Sequence, residues 1–160
     1  MTTPPASPNP LGDLAPKVDL VPLAGWSVAA GIAAAVAWFA ALTYLTSRMI
    51  AGSTIASPAQ VDPNAFSTNF LVYGALLGMA FGATVSWTLM REVASRYRRG
   101  GLSLVAAFAG AALGIVLTAV TEHALGPTAL LGLLVLALAI AVWLGNKARV
   151  AGAATRQALS

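Results

Sequence analysis

The sequence predicts an all-α fold: a polytopic integral membrane protein built as a bundle of four transmembrane helices that follow a disordered, proline-rich arm. Composition is the first observation, because the 160 residues are 58% hydrophobic and only 9% charged, with a mean hydropathy of +0.80. The second is a series of four long apolar runs that carry no ionisable residue near their middles. A soluble domain of this size could not hide so much apolar surface from water.

The N-terminal segment, residues 1–22, holds six of the nine prolines among Ser, Thr, Asn and Asp. Such a composition cannot propagate a helix or bury a core, so we expect a flexible cytoplasmic arm with some polyproline II character. A cleaved signal peptide is not expected, because no basic region precedes a short apolar stretch.

The four apolar runs define the membrane domain, residues 23–145. A hydrocarbon core of about 30 Å needs about 20 helical residues, and each run is near that length. Gly126 and Pro127 predict a tight turn between the last two helices. Residues 146–160 are predicted to form a basic cytoplasmic tail. The predicted spans cover residues 23–46, 66–90, 102–121 and 128–145.

The distribution of charge predicts the orientation. Four spans place the arm, the connection at 91–101 and the tail on one side, with Arg48 alone on the other. By the positive-inside rule both termini are then cytoplasmic. Trp26, Trp87 and Trp143 fall near the cytoplasmic ends of their helices, where indole rings favour the interface. The basic residues on the cytoplasmic side are Lys17, Arg91, Arg96, Arg98, Arg99, Lys147, Arg149 and Arg156.

The stretch YGALLGMAFGATV, residues 73–85, places three glycines four residues apart in a predicted helix, although each costs about 1 kcal/mol of helix propensity. Small residues let helices approach closely in lipid, which offsets that cost. The third helix carries a similar stripe, and the short connection predicts that the two stripes face each other in an antiparallel hairpin. The predicted packing residues are Gly74, Gly78, Gly82 and Ser86 on the second helix and Ala106, Gly110, Gly114 and Thr118 on the third.

The connection REVASRYRRGG, residues 91–101, is dense in arginine. We predict that it contacts anionic lipid headgroups or an acidic partner; the alternative is that it only fixes topology. If the second helix continued past the membrane, Arg91 and Arg98 would share a face, and Gly100-Gly101 would end the extension. The predicted contact residues are Arg91, Arg96, Arg98 and Arg99.

Glu122 and His123, at the predicted outer end of the third helix, form a candidate polar site for a metal or a quinone. The alternative is a solvated helix end, because one histidine and one carboxylate fall short of a metal site. Trp38 and Tyr73 are candidates to line a groove for a pigment, quinone or lipid, against the alternative that they simply pack or face lipid.

Several classes of function are excluded or disfavoured by composition. The chain contains no cysteine and one histidine, which excludes disulfides, thiolate metal sites and bis-histidine haem. It carries no hydrolase triad, phosphate loop or nucleotide fingerprint, so we expect no enzyme activity, no metal and no cofactor bound by this chain alone. Contact with a lipid, pigment or quinone through a partner stays open. Nucleic-acid binding is not expected, because the basic residues are split among segments that flank the membrane.

The leading interpretation is a non-catalytic accessory or structural subunit of a larger membrane protein complex, for example an energy-transducing one, in a bacterial plasma membrane. Its expected partners are membrane lipids and other membrane protein subunits. One alternative is a small oligomeric transporter or channel that uses Ser and Thr hydroxyls with Glu122 at its mouth. Another is a phage-type pore former.

The predicted orientation is testable because a single introduced cysteine would be unique in this chain. A cysteine at Ser57 should react with an impermeant thiol reagent from outside intact cells, since it lies in the connection that carries few basic residues. A cysteine at Ser160 should react only after lysis. Labelling of both from outside would contradict four spans with cytoplasmic termini.

Overall fold

The computed structural model describes residues 21–52, 63–91 and 96–159. This part of the chain is all-helical, and each of its four helices is long and apolar enough to cross a membrane, which confirms the predicted fold class at that level. Most of the predicted arm, residues 1–20, lies outside the described residues. The helices are α1 (Val21–Gly52), α2 (Pro63–Leu89), α3 (Arg96–Leu125) and α4 (Ala129–Leu159).

The turn between α3 and α4 is as tight as Gly126-Pro127 predicts. Gly126 has a φ of +84°, the left-handed conformation that glycine adopts without steric cost after a helix end. Its amide donates a hydrogen bond to the Glu122 carbonyl oxygen at 3.0 Å, and the Ala129 amide donates to the Gly126 carbonyl oxygen at 3.2 Å. Three residues therefore reverse the chain.

The helix bounds differ from the predicted spans, and this corrects two expectations. Helices α1 and α3 run beyond their predicted spans at both ends, whereas α2 ends one residue before the end of its span. Gly100 and Gly101 lie inside α3 and do not end a helix. A glycine inside a helix costs about 1 kcal/mol of helix propensity relative to alanine, and the helical turns on either side can offset that cost. A glycine ends a helix when its backbone adopts the left-handed conformation. Because α2 ends at Leu89, Arg91 and Arg98 lie on different elements and share no helix face. The predicted tail is helical through Leu159.

Helix α1 lies at the centre of the bundle and packs against the other three, whereas α4 has little contact with α2 or α3. Residues 33–37 of α1 are all buried, which is more than one complete helical turn. Side chains on every side of this segment are therefore covered by protein. The contacts run antiparallel between α1 and both α2 and α4, and parallel between α1 and α3.

Backbones of α1 and α2 meet directly at Gly31 and Gly82. A Cβ added to Gly31 would lie 2.6 Å from the Gly82 carbonyl oxygen, and one added to Gly82 would lie 2.9 Å from the Gly31 carbonyl oxygen. Helix α3 approaches the same region, since a Cβ on Gly110 would lie 2.6 Å from the Ala35 Cβ. These positions tolerate no side chain without movement of a backbone.

The Phe39 ring of α1 fits between two glycines on two different helices. A Cβ on Gly78 would clash with the ring, and a Cβ on Gly114 would lie 2.5 Å from ring atom Cδ2. Phe39 is accordingly buried.

Both glycine stripes are turned toward α1, and they also meet each other at one level, where a Cβ on Gly82 would lie 3.6 Å from the Ala106 carbonyl oxygen. The expectation that they face each other is therefore incomplete, because it leaves out α1. The spacing of small residues shows which face of a helix can be approached, not which helix approaches it. Because many side chains of α1 are alanine, its backbone can pack close to both α2 and α3.

The other side of α1 packs on α4 through small and branched residues. Near the middle of α1, Val36 and Ala37 contact Ala137. Closer to the N-terminus of α1, Ala30 and Ala33 contact Leu144. At the N-terminal end of α1, Leu23 packs with Met90, the residue directly after α2, and with Ala148 of α4.

Replacing Gly31 with alanine should lower stability by about 1 to 3 kcal/mol, because the added methyl group meets backbone atoms that cannot rotate away. Gly78→Ala and Gly114→Ala should also destabilise, since each closes one side of the Phe39 slot. Thermal unfolding in detergent measures these effects. The matched control is Gly132→Ala on α4, where nothing lies within 4 Å of the added Cβ. That control should be neutral, or stabilising by up to about 1 kcal/mol. An equal loss in all four variants would contradict close packing around α1.

Candidate functional site

The described basic side chains concentrate at one end of the bundle, formed by the N-termini of α1 and α3 and the C-termini of α2 and α4. We call this the basic end. Among the described basic side chains, Arg48 alone lies at the opposite end, on α1. The basic side chains described at this end are Arg91, Arg98, Arg99, Lys147, Arg149 and Arg156.

Two of these cations lie over tryptophan rings. The Arg99 guanidinium is 3.9 Å from the centroid of Trp87, so it joins the start of α3 to the end of α2. The Lys147 ammonium lies 5.7 Å from the ring of Trp143, which makes an edge-on contact with Trp26 of α1 at 6.0 Å between centroids. The three tryptophans therefore form a belt at the basic end.

A cleft of about 420 Å³ opens at the basic end between the end of α2 and the last turns of α4. Arg91 contributes from the turn that follows α2, and Arg149 and Arg156 from α4. The two α4 arginines are seven residues apart, so they lie on one helix face separated by two turns, about 10 Å. The small residues Ala148 and Gly152 also line the cleft.

An apolar groove of about 470 Å³ continues from this cleft toward the middle of the bundle. The two cavities share Thr88, Leu89 and Arg149 as lining residues. The groove exists because α2 and α4 both pack on α1 but barely touch each other. Its walls carry large apolar side chains that are exposed in the described bundle, namely Phe81, Leu138 and Val142.

Of the four predicted arginines, the three with described side chains do not line one site. Arg91 lines the cleft, Arg99 lies over Trp87, Arg98 is exposed on α3, and Arg96 begins α3. The other two arginines of the cleft, Arg149 and Arg156, enter the sequence-based prediction only through the charge asymmetry that sets topology. Their seven-residue spacing with Gly152 between them is the signal that marks a shared basic face.

Glu122 and His123 are exposed at the opposite end of the bundle. Among the described residues, no three His, Cys, Asp or Glu side chains come together as metal ligands. Trp38 packs against Phe81 with 5.5 Å between ring centroids, and its buried indole nitrogen has no hydrogen-bond partner among the described residues. Tyr73 is exposed, away from that contact.

Most buried hydroxyl groups form a hydrogen bond within their own helix. Each donates a hydrogen bond to a backbone carbonyl four residues earlier, at 2.7 to 2.9 Å. Ser86 differs, because its buried hydroxyl has no partner among the described residues and lies beside Gly31. The occupied hydroxyls belong to Ser27, Ser103, Thr118 and Thr155.

No protein-family model, no curated protein sequence and no solved structure matches this chain.

The contact between Arg99 and Trp87 should hold the α2–α3 connection together. We expect Arg99→Met and Trp87→Leu to show a coupling free energy of about 0.5 to 2 kcal/mol in a double-mutant cycle, the range for a partly desolvated cation–π pair. Thermal unfolding of the two single variants and the double variant supplies the cycle. The Lys147–Trp143 pair is the matched control, and its 5.7 Å separation should give a smaller coupling. Additive effects of Arg99→Met and Trp87→Leu would contradict the contact.

Proposed function

We propose that this chain is a non-catalytic accessory subunit of a larger membrane protein complex, for example an energy-transducing one. The observation that carries the proposal is the packed centre of the bundle. Gly31, Ala35 and Phe39 of α1 fill the space between α2 and α3 at backbone contact distances. Such a centre suits a scaffold that must keep its shape in lipid, where close packing is the main source of helix association.

The location we propose is a bacterial plasma membrane, with both termini in the cytoplasm. Its support is the charge asymmetry of the sequence and the collection of arginines and tryptophans at the basic end, which would face the cytoplasm.

The buried hydroxyls favour a scaffold over a transporter. A translocation path through a small bundle needs polar side chains free to bind a solute. Here Ser27 and Thr118, for example, donate their hydroxyl hydrogens to the carbonyl oxygens of Leu23 and Gly114. The charged side chains described in the structure lie toward the two ends of the bundle. Lys147 and Arg149 lie within α4, beside the residue that packs on Leu23 at the start of α1.

Helix α4 supplies the surface that we propose for the partner. Half of the most apolar stretch of α1 is buried within the bundle, against 17% of the corresponding stretch of α4. Val135 and Leu136 are among the large apolar side chains that α4 presents outward. An outer helix held on one side only can pack on a second protein without disturbing the α1 core.

Affinity purification at native expression in mild detergent should recover a partner in fixed stoichiometry with this chain. Val135→Trp and Leu136→Trp should reduce partner retention, because bulky rings disrupt a packed interface yet remain compatible with lipid. Leu77→Trp is the matched control, since Leu77 is a similarly exposed apolar residue on α2. It should leave retention unchanged.

Two outcomes would overturn the proposal. One is a purely monomeric chain with no stoichiometric partner. The other is saturable solute flux into proteoliposomes of the purified chain that is lost in Glu122→Gln, which would assign transport instead.

A further inference from the structure

We infer that the cleft and groove between α2 and α4 bind one anionic phospholipid. Its phosphate would lie among Arg91, Arg149 and Arg156, and an acyl chain would lie along Phe81, Leu138 and Val142. This inference rests on the membrane location proposed above but not on the accessory role.

The charge of the cleft points to the headgroup. The guanidinium groups come from α4 and from the turn after α2, and they line one cavity of about 420 Å³. None of the described residues that line it is acidic. Arginine presents planar donors that match phosphate oxygens, and each basic residue near an anionic leaflet contributes about 1 kcal/mol of attraction. Arg149 and Arg156 lie about 10 Å apart along α4, which leaves room for a phosphate and the glycerol attached to it.

The groove supplies the apolar half of the site. It continues from Arg149 toward the middle of the bundle, and its exposed wall residues Phe81, Leu138 and Val142 present hydrocarbon and aromatic surface. Arg149 lies eleven positions beyond Leu138 in the chain, about 16 Å along a helix axis, which is comparable to an acyl chain. A soluble anion would use the arginines and leave this groove empty, whereas a phospholipid fills both cavities.

Other cations at the basic end are placed differently. Arg99 lies against Trp87, and Lys147 lies over Trp143 on another side of α4. The inferred site therefore depends on particular arginines rather than on the general positive charge of this end. Lys147, which does not line the cleft, therefore serves as a control position with the same charge.

Native mass spectrometry of the full chain in detergent measures the inferred binding, with phosphatidylglycerol and phosphatidylcholine of matched acyl chains as probes. Phosphatidylglycerol should bind at one saturable site and phosphatidylcholine at least about tenfold more weakly. Arg149→Gln and Arg156→Gln should each weaken phosphatidylglycerol binding by about fivefold, and the double variant by more than about tenfold, because about 1 kcal/mol corresponds to about fivefold. Lys147→Gln removes one charge from the same helix end and should change affinity by less than about twofold.

The apolar half needs a separate variant. Gly145 lies in the groove, where an added Cβ would reach only to 4.0 Å from Leu89 Cδ1, so a larger side chain fits without backbone strain. Gly145→Leu should fill the groove and weaken phosphatidylglycerol binding severalfold while the melting temperature stays unchanged.

Three results of the lipid-binding measurement would overturn the inference: equal binding of the two lipids, an equal loss of affinity in Lys147→Gln and Arg149→Gln, or displacement of phosphatidylglycerol by inorganic phosphate at similar concentration. The last would assign the cleft to a free anion. A protein partner that depends on Arg149 and Arg156 without lipid discrimination would assign it to an acidic segment, and would overturn the inference too. Loss of lipid binding with partner retention intact would leave the accessory role standing.

Discussion

Close approach of helix backbones around α1 is the interaction on which the rest of the bundle depends. Apolar side chains gain little by leaving lipid for protein, so helices in a membrane associate through dispersion contacts at short range. At Gly31 and Gly82 the backbones of α1 and α2 come within this short range. The Phe39 ring fills the space that Gly78 and Gly114 leave between α2 and α3. The helix-propensity cost of these glycines is offset where two backbones meet.

The same arrangement determines which surfaces remain for binding. Helix α1 uses the small faces of α2 and α3 on one side and meets α4 on the other, so α2 and α4 are held apart by α1 itself. The space between them becomes the apolar groove, and the continuation of α4 past Gly145 brings Arg149 and Arg156 to its end. The packing of α2 and α4 on α1 thus determines where the basic cleft lies.

Run lengths, turn chemistry and the four-residue spacing of glycines were sufficient to predict four helices, the turn at Gly126 and the small faces of α2 and α3. They did not identify α1 as the helix those faces contact, because spacing locates a face and carries no information about its partner. Gly31 was missed because, among alanines, one more small residue is not a distinct signal. Arg149 and Arg156 were read as topology alone, since sequence could not show that α4 stays helical and returns beside Arg91.

Residues 33–37 of α1 are all buried within the protein, so in a bilayer the other helices should shield them from lipid on every side. Lipid-phase carbene labelling of the unmodified chain in bilayers, read residue by residue by mass spectrometry, tests it without any substitution. We predict that these five residues stay unlabelled while exposed residues of α4 such as Val135 and Leu136 are labelled. Labelling of α1 with a helical period, on one face and not the opposite one, would place α1 at the edge of the bundle and contradict the account.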